Sequence, residues 1–199
     1  MSSTSISNLA LSHLGVGKSI ASLSENSQEA IACNRFYETA RDATLRDHAW
    51  PFATKLAELA LIEEDPNDEW DYSYRYPTDC LNIRRILSGY RKDTRDTVIP
   101  YKIAQDDSGL LIYTDSENAE VEYTMRATDA QFYPPDFELA LSYRLAYYIA
   151  PRLTGGDPFK LQERVLKLYQ WEISQAIASS VNEQRSDVEA DAEMIRIRE

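Results

Sequence analysis

The hydrophobic period of this chain changes twice. Up to about residue 48, apolar residues recur at helical spacing. From 52 to 127 the chain breaks into short runs rich in Tyr, Ile, Val and Thr, punctuated by Asp-Pro-Asn, Tyr-Pro, Ser-Gly and Asp-Ser turns. At Pro135-Asp136 the helical spacing returns. Helices and strands bury different residue periods, so the two patterns must occupy different layers around their cores. The first switch is abrupt. A helix runs into His48-Ala49-Trp50-Pro51-Phe52-Ala53, and Pro51 lacks the N–H needed to continue it.

The spacing predicts a helix over 4–14, with Ile6, Leu9, Ala10 and Leu14 on one face, Thr4 or Ser5 as its cap and Gly15 as its stop. A second helix starts at Ser27 and runs to about 48, with Ile31, Asn34, Tyr37 or Glu38, Arg41 and Leu45 stepping along it. Strands are expected near 54–62, 70–75, 80–87, 98–104, 110–114 and 119–126, and their short connections imply mostly antiparallel pairing. A third helix from Pro135 carries Phe137, Leu141, Leu145, Tyr148 and Ile149, and Pro151 should kink its final turn. Gly155-Gly156 ends it, and Asp157-Pro158 starts a fourth helix to about 181, carrying Leu161, Val165, Leu168, Tyr169, Ile173, Ala176 and Ile177.

The expected fold is therefore α+β. Residues 1–51 and 134–181 form a four-helix bundle, 52–133 an inserted antiparallel sheet lobe, and 182–199 a flexible C-terminal arm. In that arm only Met194, Ile195, Arg196 and Ile197 form an apolar-basic cluster able to dock, with Arg198 beside it.

Composition narrows the function. The 199 residues carry 21 basic and 33 acidic side chains, a net charge of −12. A sequence-reading DNA binder normally presents a basic face, whereas an acidic wall would let DNA slide past without sticking. Thirteen Tyr and three Trp suit surfaces buried on association, and equally a sheet core. Cys33 and Cys80 have no metal or redox spacing and read as buried thiols. No signal peptide or membrane span is apparent, so synthesis in a cytosol and no membrane partner are expected.

Candidate chemistry is sparse. Gly15-Val16-Gly17-Lys18-Ser19 looks like the end of a phosphate-binding loop, but Ser12 stands where its first glycine belongs and a helix precedes it. His13 and His48 have no cysteine or carboxylate at ligand spacing, so neither a metal nor a cofactor is expected. The acids Glu63, Glu64, Asp65, Asp68, Glu69 and Asp71 fall in an expected hairpin loop, where solvation is favoured over a glycosidase acid pair. Arg75, Arg84, Arg85, Arg91, Lys92 and Arg95 could contact phosphate; in an acidic chain they are better matched to the acidic segment of a neighbouring subunit. Glu63, Glu64, Asp65, Arg84, Arg85 and Arg91 are the resulting subunit-interface candidates, and no catalytic residue is assigned.

A series of short matches runs through most of the chain: Ala10-Leu11, Leu14-Gly15, Cys33, Tyr37-Glu38, Ala40-Arg41-Asp42, Leu45-Arg46, His48 to Ala53, Tyr76-Pro77 and Asp79-Cys80-Leu81. Tyr123, Asp129, Phe132, Pro135, Phe137, Ala140-Leu141, Leu145-Ala146, Ala150 and Leu153-Thr154-Gly155 follow, with Pro151 as a departure. In order and spacing this resembles the tail tubular protein A family, head-tail adaptors of short-tailed phages. The resemblance implies a structural virion protein at the head-tail junction, made in the host cytoplasm. It implies a dodecameric ring under the portal protein, a sheet lobe that receives the nozzle or next tail protein, and an arm (Met194 to Arg198) reaching onto the portal. Phage DNA would pass through the lumen unread. Some relatives in that family carry wall-hydrolysing activity, so a tail-associated peptidoglycan hydrolase is the alternative.

Overall fold

The computed structural model describes residues 2–90, 93–154 and 158–183. Helix α1 (Ser3–His13) is capped by Ser2, whose hydroxyl accepts the Ser5 N–H at 3.2 Å, so the cap lies before the expected Thr4 or Ser5. The helix ends on Gly15 at φ +73°, where the Gly15 N–H reaches Ser12 O and the Val16 N–H reaches Leu11 O. That paired closure needs a left-handed residue, which glycine adopts at little cost. Ile6, Ser7, Ala10 and Leu11 form the buried face, and the expected Leu9 is only half-buried.

Helix α2 (Gln28–Asp47) is capped by Ser27 through the Ala30 N–H. Its buried stripe is Ala30, Cys33, Tyr37, Ala40 and Thr44, with Arg41 and Leu45 alongside. The expected Ile31 is 51% exposed and Asn34 is exposed as well. The stripe alternates steps of three and four, and its small residues let a neighbouring helix approach closely. That neighbour is α3 (Pro135–Leu153), which also packs against α1 and α4 (Pro158–Glu183) and is the central helix of the bundle. Phe137, Ala140, Leu141, Leu145, Ala146, Ile149 and Ala150 of α3 are all 0% exposed, whereas the expected Tyr148 is half-buried. On α4, Val165, Tyr169, Ile173 and Ala176 turn inward, but the expected Leu168 is 37% exposed and Ser180 is buried in the next turn. The predicted Gly155-Gly156 stop and Asp157 cap lie outside the described residues; α3 closes on Thr154, whose N–H returns to Ala150 O.

Between the helix pairs lie two antiparallel sheets rather than the one expected. The strands are β1 (Thr54–Glu58), β2 (Leu61–Asn67), β3 (Trp70–Arg75), β4 (Cys80–Ile86), β5 (Lys102–Asp106), β6 (Gly109–Thr114) and β7 (Glu120–Met125). The orders are β1-β7-β4 and β2-β3-β6-β5. The expected continuous strand 54–62 is where the chain crosses between them. Leu59 donates its N–H to Ala119 O in the first sheet, and Ala60 O accepts the Arg75 N–H in the second. The expected strand at 98–104 lies instead at Lys102–Asp106. Of the acidic run, Asp68 and Glu69 form the expected hairpin turn, whereas Glu63, Glu64 and Asp65 lie on β2 and Asp71 on β3. Ile83, Ile86, Val121 and Tyr123 of one sheet and Tyr74 and Ile112 of the other share a small core, separate from the bundle core.

Pro151 has no N–H to give to the carbonyl of Tyr147, one turn earlier. The Gln162 side chain of α4 donates to that carbonyl at 3.2 Å, so the helix continues past the proline without an orphaned acceptor. Gln162→Met should lower stability by about 0.5–1.5 kcal/mol, the worth of one such hydrogen bond. In a Pro151→Ala background, where the helix supplies its own donor, the same substitution should cost much less. A four-variant urea-denaturation cycle measures this coupling.

Candidate interaction surfaces

The helical layer meets the sheets through one aromatic corner. The carbonyls of the last turn of α2 have lost their helical donors. Trp50, 2% exposed, turns back and gives its indole N–H to Thr44 O at 3.0 Å. Pro51 opens a 3-10 turn (Pro51–Ala53), which swings Phe52 against Phe137 at 4.9 Å. Trp50 meets Phe137 edge-on at 5.1 Å, and Tyr133 meets it at 5.0 Å. Four rings thus surround the start of α3, and truncating an aromatic so buried typically costs about 3–5 kcal/mol. Asp47 ends α2, where a carboxylate opposes the helix dipole. Arg144 of α3 compensates at 2.5 Å and the Tyr169 hydroxyl of α4 donates to the same carboxylate oxygen, so one acid ties three helices together.

Polar contacts close the same joint from the sheet side. A register shift in β4, between Ile83↔Tyr123 and Arg85↔Glu122, leaves Arg84 as the extra residue. Arg84 then reaches Thr124 Oγ1 at 2.9 Å and the His48 carbonyl at 2.7 Å. Arg85 pairs with Glu122 at 2.6 Å and Asp93 at 3.0 Å, and the Ser88 hydroxyl donates to Asp93. Arg75 makes a two-pronged contact with Asp106 at 2.9 and 3.1 Å. Arg126, at the end of β7, holds Asp42 of α2 at 2.9 Å, and Asp42 in turn holds Arg41 at 2.8 Å. Arg84 and Arg85, expected to face a neighbouring subunit, are therefore engaged within the chain. Arg91 and Lys92 lie outside the described residues, as do Met194, Ile195, Arg196, Ile197 and Arg198 of the arm.

Glu63, Glu64 and Asp65 lie exposed on β2, the outer strand of its sheet. Two register shifts distort this strand, and Asp65 adopts φ +50°. Charge and distortion on an edge strand both oppose uncontrolled strand pairing. The acids and the β4 arginines belong to different sheets of the chain.

Neither histidine sits in a catalytic arrangement. His13 stacks on Tyr143 at 3.8 Å, and its Nε2 is 2.9 Å from the Ser142 hydroxyl. That hydroxyl donates to Leu139 O, so it accepts from the imidazole and is not primed as a nucleophile. Burial lowers the His13 pKa; burial, then the nearby Arg84 charge, lowers that of His48. Burial raises the Cys33 thiol to about 11, which leaves it protonated and unreactive. Among the described residues no three potential metal ligands cluster, and no helix is long and apolar enough to cross a membrane.

Several large apolar side chains remain uncovered. Phe132 is 71% exposed beside a cleft of about 460 Å³ that also touches Phe52 and Met125. On α4, Phe159 is 76% and Trp171 64% exposed. Sequence reasoning missed the Asp47–Arg144–Tyr169 and Arg126–Asp42 ties, because residues so far apart in sequence carry no local signal of their contact. The exposed Trp171 was detectable, since it falls off the inward stripe of its helix. Comparison with known protein families finds no match, and comparison with curated proteins finds no significant relative.

The lowered histidine pKa values fix a sign. Below the ordinary value of 6.5 the unfolded chain binds protons that the folded chain resists. Their contribution is complete above about pH 7 and is lost as the pH falls through 6.5 toward the folded values. The urea midpoint should decline between pH 7 and 5, and His13→Gln/His48→Gln should flatten that decline. An unchanged slope in the double variant would contradict the assignment.

Proposed function

We propose that this chain is a structural subunit of a phage head-tail adaptor, a ring, expected to be dodecameric, that joins the portal to the next tail protein. It works by assembly and catalyses no reaction. The observation that carries the reading is where the residues of the resemblance fall. Trp50, Phe52 and Phe137 are the aromatic corner; Asp42, held by Arg41, ties α2 to Arg126 just after β7; Asp79 accepts the Tyr123 hydroxyl at 2.8 Å and pairs with Lys55 at 2.8 Å. The resemblance thus includes contacts that set one layer against the other and contacts within the first sheet, and it extends beyond residues that merely fill a core.

The uncovered aromatics and the acidic surface fit a subunit buried on several sides in a particle through which DNA slides. A free subunit leaves such faces unsatisfied, and the portal would supply the template that raises the local concentration of neighbours. The arm would anchor through Ile195 and Ile197, with Arg196 and Arg198 meeting portal carboxylates. Ordering it costs roughly 1–2 kcal/mol per residue, so buried anchors are required.

Size-exclusion of the purified chain at micromolar concentration should show monomer, with rings appearing on addition of the cognate portal protein. Deleting 186–199 should leave the far-UV circular dichroism unchanged and weaken portal binding tenfold or more. Equal binding by the shortened chain would remove the arm from the mechanism. Absence of any portal complex would remove the adaptor reading itself.

A further inference from the structure

A ring built from one kind of subunit needs two unlike, complementary faces on each copy. Arg84 and Arg85 are partnered internally, and a second basic surface lies elsewhere. The outer side of α4 carries it. Lys160, Arg164 and Lys167 are exposed there at steps of four and three, and Trp171 continues the same stripe one turn on. Lys167 pairs with Glu163 within the helix, but both side chains are about two-thirds exposed, where such a pair contributes little. In a chain of net charge −12, three cations in line with an open tryptophan give this face a local positive charge. The fold has no need of Trp171, because Val165, Tyr169, Ile173 and Ala176 already fill the inward side.

The complementary face is on the other lobe. The β2 edge presents Glu63, Glu64 and Asp65, with Leu61 50% and Ile62 43% exposed beside them. One face is therefore basic around an aromatic, and the other acidic around two aliphatics. We propose that α4 of one subunit seats on the β2 edge of the next copy. Lys160, Arg164 and Lys167 stand opposite Glu63, Glu64 and Asp65, and Trp171 covers Leu61 and Ile62. The contact is head-to-tail, so it propagates and closes only if the rotation between copies closes. Its closure into a ring rests on the adaptor reading; the contact itself does not. One tryptophan and three charge pairs fall short of the roughly 800 Å² per side of a stable interface, so the contact is weak in isolation, with a dissociation constant on the order of 10⁻⁴ M.

Sedimentation equilibrium of the full chain at low salt and several hundred micromolar tests this. Wild type should self-associate, and less so at high salt. Lys160→Glu/Arg164→Glu/Lys167→Glu should weaken association tenfold or more, as should Glu63→Lys/Glu64→Lys/Asp65→Lys. An equimolar mixture of the two reversed variants should associate again, because each then offers the face the other lacks. Trp171→Ala should weaken wild-type association while leaving the thermal midpoint unchanged. If a reversed variant fails to fold, cross-linking of Trp171→Cys to Ile62→Cys in a mixture of otherwise wild-type chains decides the same question. A monomeric wild type, unaltered association in the variants, or no recovery on mixing would overturn the pairing. So would salt-dependent binding of a 20-base-pair DNA duplex, lost in the α4 variant, in a chain that does not self-associate. Portal-bound rings indifferent to both reversals would sink this contact and leave the adaptor standing; loss of portal binding alone would do the opposite.

Discussion

The structure depends on how the chain leaves α2. A helix that stops abruptly exposes carbonyls with no donor, and a proline four residues later prevents any helical repair. Trp50 resolves both difficulties. Its indole N–H takes one carbonyl, and its ring becomes the first of three that surround Phe137. Because Phe137 lies in the first turn of α3, the corner fixes where the central helix of the bundle begins relative to the first strand. The sheets therefore inherit their position from the bundle through a dry contact, and the bundle inherits the start of α3 from the same contact.

Ionic contacts reinforce this joint. Arg126 to Asp42, Arg84 to the His48 carbonyl and Arg144 to Asp47 all link elements that the aromatic corner has already brought close. Several are partly buried, where pairing offsets a desolvation cost and adds geometric specificity more than net stability. Using arginines this way has a consequence for association. The cations of β4 are engaged at home, and Lys160, Arg164 and Lys167 form a separate line of exposed cations along α4.

That redistribution gives the assembly reading its physical content. An acidic chain with charged, distorted sheet edges is protected against indiscriminate aggregation. Contacts that survive such repulsion must combine local charge reversal with apolar area, and α4 and β2 each offer both. Weak single contacts repeated around a template yield a stable ring without stable free oligomers.

Much of the fold was legible because its signals are local. Ser27 before α2, Gly15 after α1, Pro51 at the corner and Pro135 opening α3 act within one helical turn, and each marks an observed boundary. The α+β order of two helices, strands and two helices follows from those marks and the change of period. What escaped was whatever depends on partners distant in sequence. The run 54–62 looks like one strand, yet its two ends pair with different sheets, since hydrogen bonding to Ala119 and Arg75 is decided by where those segments lie. The inward face of α2 is shifted by one residue because α3 packs on its small side chains, which rank below Ile31 in hydrophobicity alone. The β4 arginines looked available because nothing in their neighbourhood announces Glu122 or Thr124. By itself the sequence determined which segments are helical or extended, through steric and capping rules that act over a few residues. Only the tertiary structure decided which charges are neutralised at home and which face outward, because electrostatic and packing partners are selected by proximity in space.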